Sequence, residues 1–358
     1  MRIMLLPVAA LALGAIGVST PTEVASTTLT ALSARRFEHA RTVAATTSTA
    51  KSPSATSGTA TSGASATPRR SGPAIMSRAA TASRVATASR AAVASRAVGG
   101  PGALEAGASG PRQVRARTAF LADAGSGERL WSRHAGARRQ IGSITKVMTA
   151  LIVLQAGNLD RKIRIKPAHV AYAAARNGST ARLRVGDRLT ARDLLYAMML
   201  PSGCDAAAAL ADTYGRGQGR FVRKMNRTAR RLGMSRTHYA DMAGLSPAGY
   251  STARDQTVLG RSAMRDATFR QIVSRERYVA RGNRAHRRYV WLSTNELLGA
   301  YPGILGIKSG HTAAAGYSFL FAARRYGRTL VGAVLNSSQT RPGARFADAA
   351  RVLNWGFR

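Results

Sequence analysis

Ser143-Ile144-Thr145-Lys146, followed at once by Val147-Met148-Thr149-Ala150-Leu151-Ile152-Val153-Leu154, is the stretch on which the fold turns. The apolar run predicts a buried helix led by Ser143. A serine and a lysine three apart on a helix share one face, about one turn apart, so an amine comes within reach of a hydroxyl with no histidine needed. Two short motifs lie far downstream, Ser202-Gly203-Cys204 and Lys308-Ser309-Gly310. Of the 54 basic residues only six are lysine, and the other 48 are arginine. A guanidinium does not give up its proton, whereas a buried amine can serve as a base. Keeping Lys146 and Lys308 in so arginine-rich a chain points to chemistry that needs an amine. The pattern is weak alone: Ser48-Thr49-Ala50-Lys51 repeats the spacing in a segment with no helix to organise it.

Working outward, Thr118–Asp123 and Arg129–His134 flank the turn Ala124-Gly125-Ser126-Gly127 and predict a hairpin ahead of the Ser143 helix. From about 158 to 288 the pattern reads as mostly helical, with Thr190 capping 191–200, helices over 203–214 and 221–232, and Thr252 capping 253–264. Strands return at 306–309, 317–324 and 329–335, and an amphipathic helix spans 344–355. Strands at both ends with helices inserted between them imply one sheet closed by distant segments, an α+β domain over 113–358 carrying a helical region.

Upstream, Arg2 and the apolar stretch from Ile3 to Val18 predict an export signal or N-terminal anchor over 1–26. Residues 27–112 are rich in Ala, Ser, Thr and Arg, and Ser-Arg recurs every six residues from Ser77 to Arg96. Such a composition cannot bury a core, so this segment is expected to be a disordered basic tether. The formal charge is +38. Residues 1–112 hold 12 basic and 3 acidic residues, and 113–358 hold 42 and 13, so the excess belongs mainly to the folded part. For an exported chain such a field favours anionic cell-wall polymers or a membrane surface as partners, and nucleic acid is not expected. One cysteine excludes an internal disulfide, and six scattered histidines give no zinc spacing, so neither metal nor cofactor is expected.

The three motifs, in this order, resemble those of the serine D-alanyl-D-alanine carboxypeptidases of the low-molecular-mass penicillin-binding protein family. The likeness extends through 184–195, Met199-Leu200-Pro201-Ser202-Gly203, 250–255 and 293–298 to Tyr301-Pro302-Gly303-Ile304-Leu305-Gly306-Ile307-Lys308-Ser309-Gly310. It implies an antiparallel five-stranded sheet flanked by helices with an inserted all-helical region, the fold of DD-peptidases and β-lactamases. It also implies penicillin-sensitive cleavage of the terminal D-Ala from peptidoglycan stem peptides through an acyl-enzyme. On this resemblance Ser143 is the nucleophile, Lys146 its proton acceptor and Ser202 the relay to the departing D-alanine. Cys204, Lys308, Ser309, Gly310, the His311 backbone and Arg341 would bind substrate, with Arg345 close behind Arg341. Gly310 is expected to let the substrate backbone approach the strand. Two departures stand out. Cys204 occupies the place of the commoner asparagine and offers only a weak donor and acceptor, and Ser309 replaces the commoner threonine. A DD-transpeptidase on the same site, or a catalytically weak basic wall-binding protein, are the alternatives. A class A β-lactamase needs a glutamate that activates water, and Glu128, Glu276 and Glu296, the only glutamates of 113–358, sit in no such setting.

Overall fold

The computed structural model describes residues 110–358. The expected export segment and nearly all of the expected tether lie outside the described residues. In chain order come β1 (Thr118–Asp123), β2 (Arg129–Arg133), a 3-10 turn (Gly142–Thr145), α1 (Lys146–Ala156), β3 (Lys162–Arg164), α2 (Pro167–Ala174) and β4 (Arg188–Thr190). Then follow α3 (Ala191–Met199), α4 (Cys204–Gly215), α5 (Gln218–Arg231), α6 (Ala253–Ala263) and α7 (Ala267–Val273). The chain continues through β5 (Arg277–Ala280), β6 (Tyr289–Leu292), β7 (Ile304–Gly310), β8 (Ser318–Arg325), β9 (Arg328–Leu335) and α8 (Ala344–Gly356).

The five long strands form one antiparallel sheet in the order β2-β1-β9-β8-β7. It is closed as expected, because the N-terminal β1 pairs with the near-C-terminal β9. Strand alternation sends side chains to two separate cores. Ala119, Leu121, Phe319, Phe321 and Val334 meet Phe346, Val352 and Leu353 of α8. Phe120, Ala122, Leu320, Val331 and Leu335 join Ile144, Val147 and Leu259 on the opposite face. Each such large side chain, once fully buried, contributes about 1.5–3 kcal/mol.

Every residue of α1 from Lys146 to Val153 is buried, which is why its sequence is apolar all round rather than striped. No helix among the described residues is long and apolar enough to cross a membrane. Thr190 caps α3 by accepting from the Asp193 amide at 2.9 Å, and Thr252 caps α6 by accepting from the Asp255 amide at 3.0 Å. The region 158–288 is less purely helical than its sequence suggests. It contains the two-stranded ladder β3–β4 and the strand β5, which pairs with β6 just beyond it. Strands of three or four residues are too short to show a period of two, and tertiary packing rather than local pattern sets them.

Candidate active site

Ser143 stands in the buried 3-10 turn, and α1 proper begins only at Lys146. The tighter turn still brings the pair together: Lys146 Nζ lies 2.7 Å from Ser143 Oγ. The same amine meets Cys204 Sγ at 3.3 Å and donates to the Ala243 carbonyl at 3.1 Å. Lys146 is fully buried and Ser143 nearly so. Among these three partners there is no carboxylate.

Ser202 precedes α4, whose N-cap is Gly203, so Cys204 falls in the first turn facing Lys146. Ser202 has a φ of +67°, in the left-handed region. For a residue with a Cβ that conformation costs about 1–2 kcal/mol. Its Oγ is buried without a hydrogen-bond partner among the described residues. A strained backbone holding an unpaired hydroxyl is the kind of outlier found at functional sites.

From β7, Lys308 is buried with its Nζ donating to the Ser309 carbonyl at 3.0 Å. Its pKa is held well below the usual lysine value, first by burial, then by the charges of Lys146 and Arg345. Ser309 Oγ lies 2.8 Å from Thr294 Oγ1. Gly310 also makes a close approach within the protein. A Cβ there would stand 2.4 Å from the Ile141 carbonyl and 3.0 Å from the Ile144 side chain. Its missing side chain therefore lets the strand close on the turn that bears Ser143. Gly142 answers from the other side, where a Cβ would be 3.0 Å from the His311 amide nitrogen. The backbones of Ser143 and His311 are thus brought side by side.

The two arginines expected near the substrate carboxylate differ in burial. Arg341 is exposed, and its backbone amide caps a turn on Ser338 Oγ at 2.9 Å. Arg345, one helical turn on, is buried, with its guanidinium 5.1 Å from the Tyr317 ring centroid. Tyr317 in turn stacks on His311 with ring centroids 4.0 Å apart. Burial lowers the Arg345 pKa to about 10, with Glu296 and Tyr317 opposing. The His311 pKa is lowered by burial and by Arg345. Lys146, Lys308 and Arg345 thus lie close enough together for the other two to lower the Lys308 pKa. Among the described residues no cluster of His, Cys, Asp and Glu could hold a metal ion.

Sequence reasoning missed the residues that support these groups. Asp241 accepts the backbone amides of Ala243 (2.6 Å), Leu245 (2.9 Å), Gly244 and Ser246. This nest shapes the loop that offers Ala243 O to Lys146 and Met242 O to Thr149. Asp205, fully buried, accepts from Thr180 Oγ1 and from the Ala181 and Leu183 amides, strapping 180–183 over α4 beside Cys204. A lone aspartate in a loop carries no signal of this in a single sequence. Asp241→Ala is expected to cost about 1.5–3 kcal/mol in chemical denaturation, the range for hydrogen bonds to a charged group. It should also slow turnover, because the Lys146 acceptor is misplaced. Unchanged stability and turnover would show that the loop holds its shape without the carboxylate.

Against known proteins, residues 105–339 match the family model for D-alanyl-D-alanine carboxypeptidase, peptidase family S11. The D-alanyl-D-alanine carboxypeptidase of Streptomyces sp. strain K15 is 40% identical over 269 residues, covering 72% of this chain and 92% of that one. The Bacillus subtilis carboxypeptidase DacF is 28% identical over 246 residues, and there the match spans only 62% of the relative. The crystal structure of the Streptomyces K15 DD-transpeptidase superposes with a TM-score of 0.66 at 41% identity, covering 70% of this chain and 99% of that one.

Proposed function

Because the chain belongs to the D-alanyl-D-alanine carboxypeptidase family of serine peptidases, we propose that the cleft of Ser143, Lys146, Ser202 and Lys308 is where its chemistry occurs. The protein is a serine DD-peptidase acting through an acyl-enzyme on peptidoglycan stem peptides. The observation that carries the residue assignment is the 2.7 Å approach of buried Lys146 Nζ to Ser143 Oγ, with a thiol and a backbone carbonyl as the amine's other partners.

A neutral amine has two N–H groups and one lone pair. Here the N–H groups would go to Ala243 O and Cys204 Sγ, leaving the lone pair for the Ser143 hydroxyl, which donates to it. Ser143 Oγ then attacks the carbonyl carbon of the penultimate D-alanine while Lys146 takes the hydroxyl proton. The oxyanion is met by the backbone N–H groups of Ser143 and His311, which Gly142 and Gly310 bring together. As the C–N bond breaks, the proton passes from Lys146 through Ser202 Oγ to the leaving amine of D-alanine. The unpartnered Ser202 hydroxyl supports this relay. Water then attacks the acyl carbon, Lys146 takes its proton, and Ser143 Oγ departs reprotonated. Lys308, Ser309 and Arg345 receive the terminal carboxylate, Arg345 in place of Arg341. A β-lactam, carrying its own carboxylate beside a strained amide, would acylate Ser143 by the same first step.

Cys204 gives Lys146 a softer partner than an amide would. The thiol orients the amine but contributes a weak hydrogen bond, so slow deacylation is expected. Water or an amine can take the acyl group, and hydrolysis is the reading preferred here. Incubation with a D-Ala–D-Ala-terminated peptide, with and without an acceptor amine, should release D-alanine and trimmed peptide in both cases. Cross-linked product with no hydrolysed peptide would make the protein a transpeptidase instead. We place the protein outside the cytoplasmic membrane, where its polymer substrate lies, with 1–26 as export signal, 27–112 as tether and 113–358 as catalytic domain.

A further inference from the structure

The ladder β5–β6 turns one face inward and the other to solvent. Its register pairs Arg277 with Leu292 and Val279 with Val290, so these four share one face. Tyr278 and Trp291 share the other with Ala280 and Tyr289. That inner face is packed: Trp291 and Tyr289 are buried, and Tyr278 stacks on Tyr196 at 3.7 Å between centroids. On the outer face Leu292 is 61% exposed and Val290 39%. The loop 182–188 adds Val185, 54% exposed, and is tied to the hairpin by Arg184 N to Tyr289 Oη and Arg188 N to Ala285 O. With Tyr326, these are the large hydrophobic residues left exposed among the described residues, and three of the four lie on these two joined segments.

The same segments are rich in arginine, with Arg277 on the outer face beside Leu292 and Arg287 over the ring of Tyr289. Arg277, Arg281, Arg284, Arg287 and Arg288 of the hairpin are exposed, as are the three arginines of the adjoining loop. The same two segments hold only two carboxylates, Asp187 and Glu276, and Asp187 already accepts from Tyr289 Oη. Outward aliphatic side chains within a rim of arginine are what an interfacial anchor needs: a shallow apolar insertion and a cationic collar for phosphates. A soluble polyanion would use the arginines but leave the leucine and valines in water. A second copy would set one arginine collar against another.

We propose that the outer face of β5–β6, with Val185, docks on an anionic lipid bilayer, Leu292 and Val290 entering the headgroup boundary while the arginines meet lipid phosphates. The hairpin runs directly into Thr294, whose hydroxyl meets Ser309. Docking would therefore hold the substrate-binding strand close to the bilayer surface. The surface shares no residue with the cleft and stands independently of the reaction assigned to it.

The test is site-specific, because a basic N-terminal segment can bind vesicles by itself. A polarity-sensitive dye is placed on the full chain at Leu292→Cys, the native Cys204 being buried, and in a second preparation at Tyr326→Cys in the β8–β9 turn. Vesicles of phosphatidylglycerol and phosphatidylcholine should blue-shift the dye at position 292 and leave that at 326 unchanged. Phosphatidylcholine alone should do neither. Arg281→Glu, Arg284→Glu and Arg288→Glu combined should weaken vesicle affinity by about tenfold or more, with hydrolysis of a soluble peptide unaffected. Vesicle binding with no shift at 292, or equal shifts at both positions, would overturn the proposal. So would a dimer in sedimentation velocity that Val290→Ser and Leu292→Ser dissolve, since the face would then be a subunit interface.

Discussion

Ser143→Ala and Lys146→Met are each expected to abolish covalent labelling by a fluorescent penicillin in a chain that still unfolds cooperatively. Ser143→Ala deletes one oxygen from a buried turn and leaves Lys146 its contacts to Cys204 and Ala243. Lys146→Met keeps the length of the side chain and removes the amine that meets the hydroxyl. General-base catalysis contributes about 10²–10⁴-fold, and nucleophile and base act as a unit, so each single change should cost at least about 10³-fold in acylation rate. The double variant should be no slower than either single one. That non-additivity separates a working pair from two independent structural residues. Acylation surviving in Lys146→Met at more than about a tenth of the normal rate would place the base elsewhere.

Much of this pair could be read from the chain, because it depends on local spacing. A Ser-x-x-Lys before an apolar run brings the groups together whether the first turn is α or 3-10, so the wrong helix start did not matter to the chemistry. The sheet was equally legible, since Phe319–Ala323 and Leu330–Leu335 are apolar runs of strand length joined by a tight turn. What escaped reading were partners distant in sequence. Thr294 reaches Ser309, Asp241 organises the Ala243 loop, and Gly310 closes on Ile141. Arg341 and Arg345 are both near the end of the last strand, and only the start of α8 decides that the second turns inward. The ladders β3–β4 and β5–β6 gave no signal because each strand is shorter than one clear alternation.

Lys308→Met is expected to make the protein more stable and far less able to use substrate. Lys308 is wholly buried, its Nζ donates to the Ser309 carbonyl, and the neighbouring charges that lower its pKa, Lys146 and Arg345, are both positive. A cation so placed costs folding free energy unless an anion joins it. A depressed lysine pKa means that the folded state binds the proton less tightly than the unfolded chain. The penalty is full below the folded pKa and fades as pH rises from there toward the ordinary value of 10.5. Denaturant unfolding at several pH values should therefore show Lys308→Met more stable near neutrality, with the difference shrinking as pH rises through that window. Activity should move the opposite way. Losing the charged partner of a buried substrate carboxylate costs about two to three orders of magnitude in kcat/KM, chiefly through KM. In the parent protein KM should rise over the same window, because the amine that meets the carboxylate loses its proton there. If Lys308→Met were less stable at every pH, the ammonium would be a structural tie rather than a charge held ready for substrate.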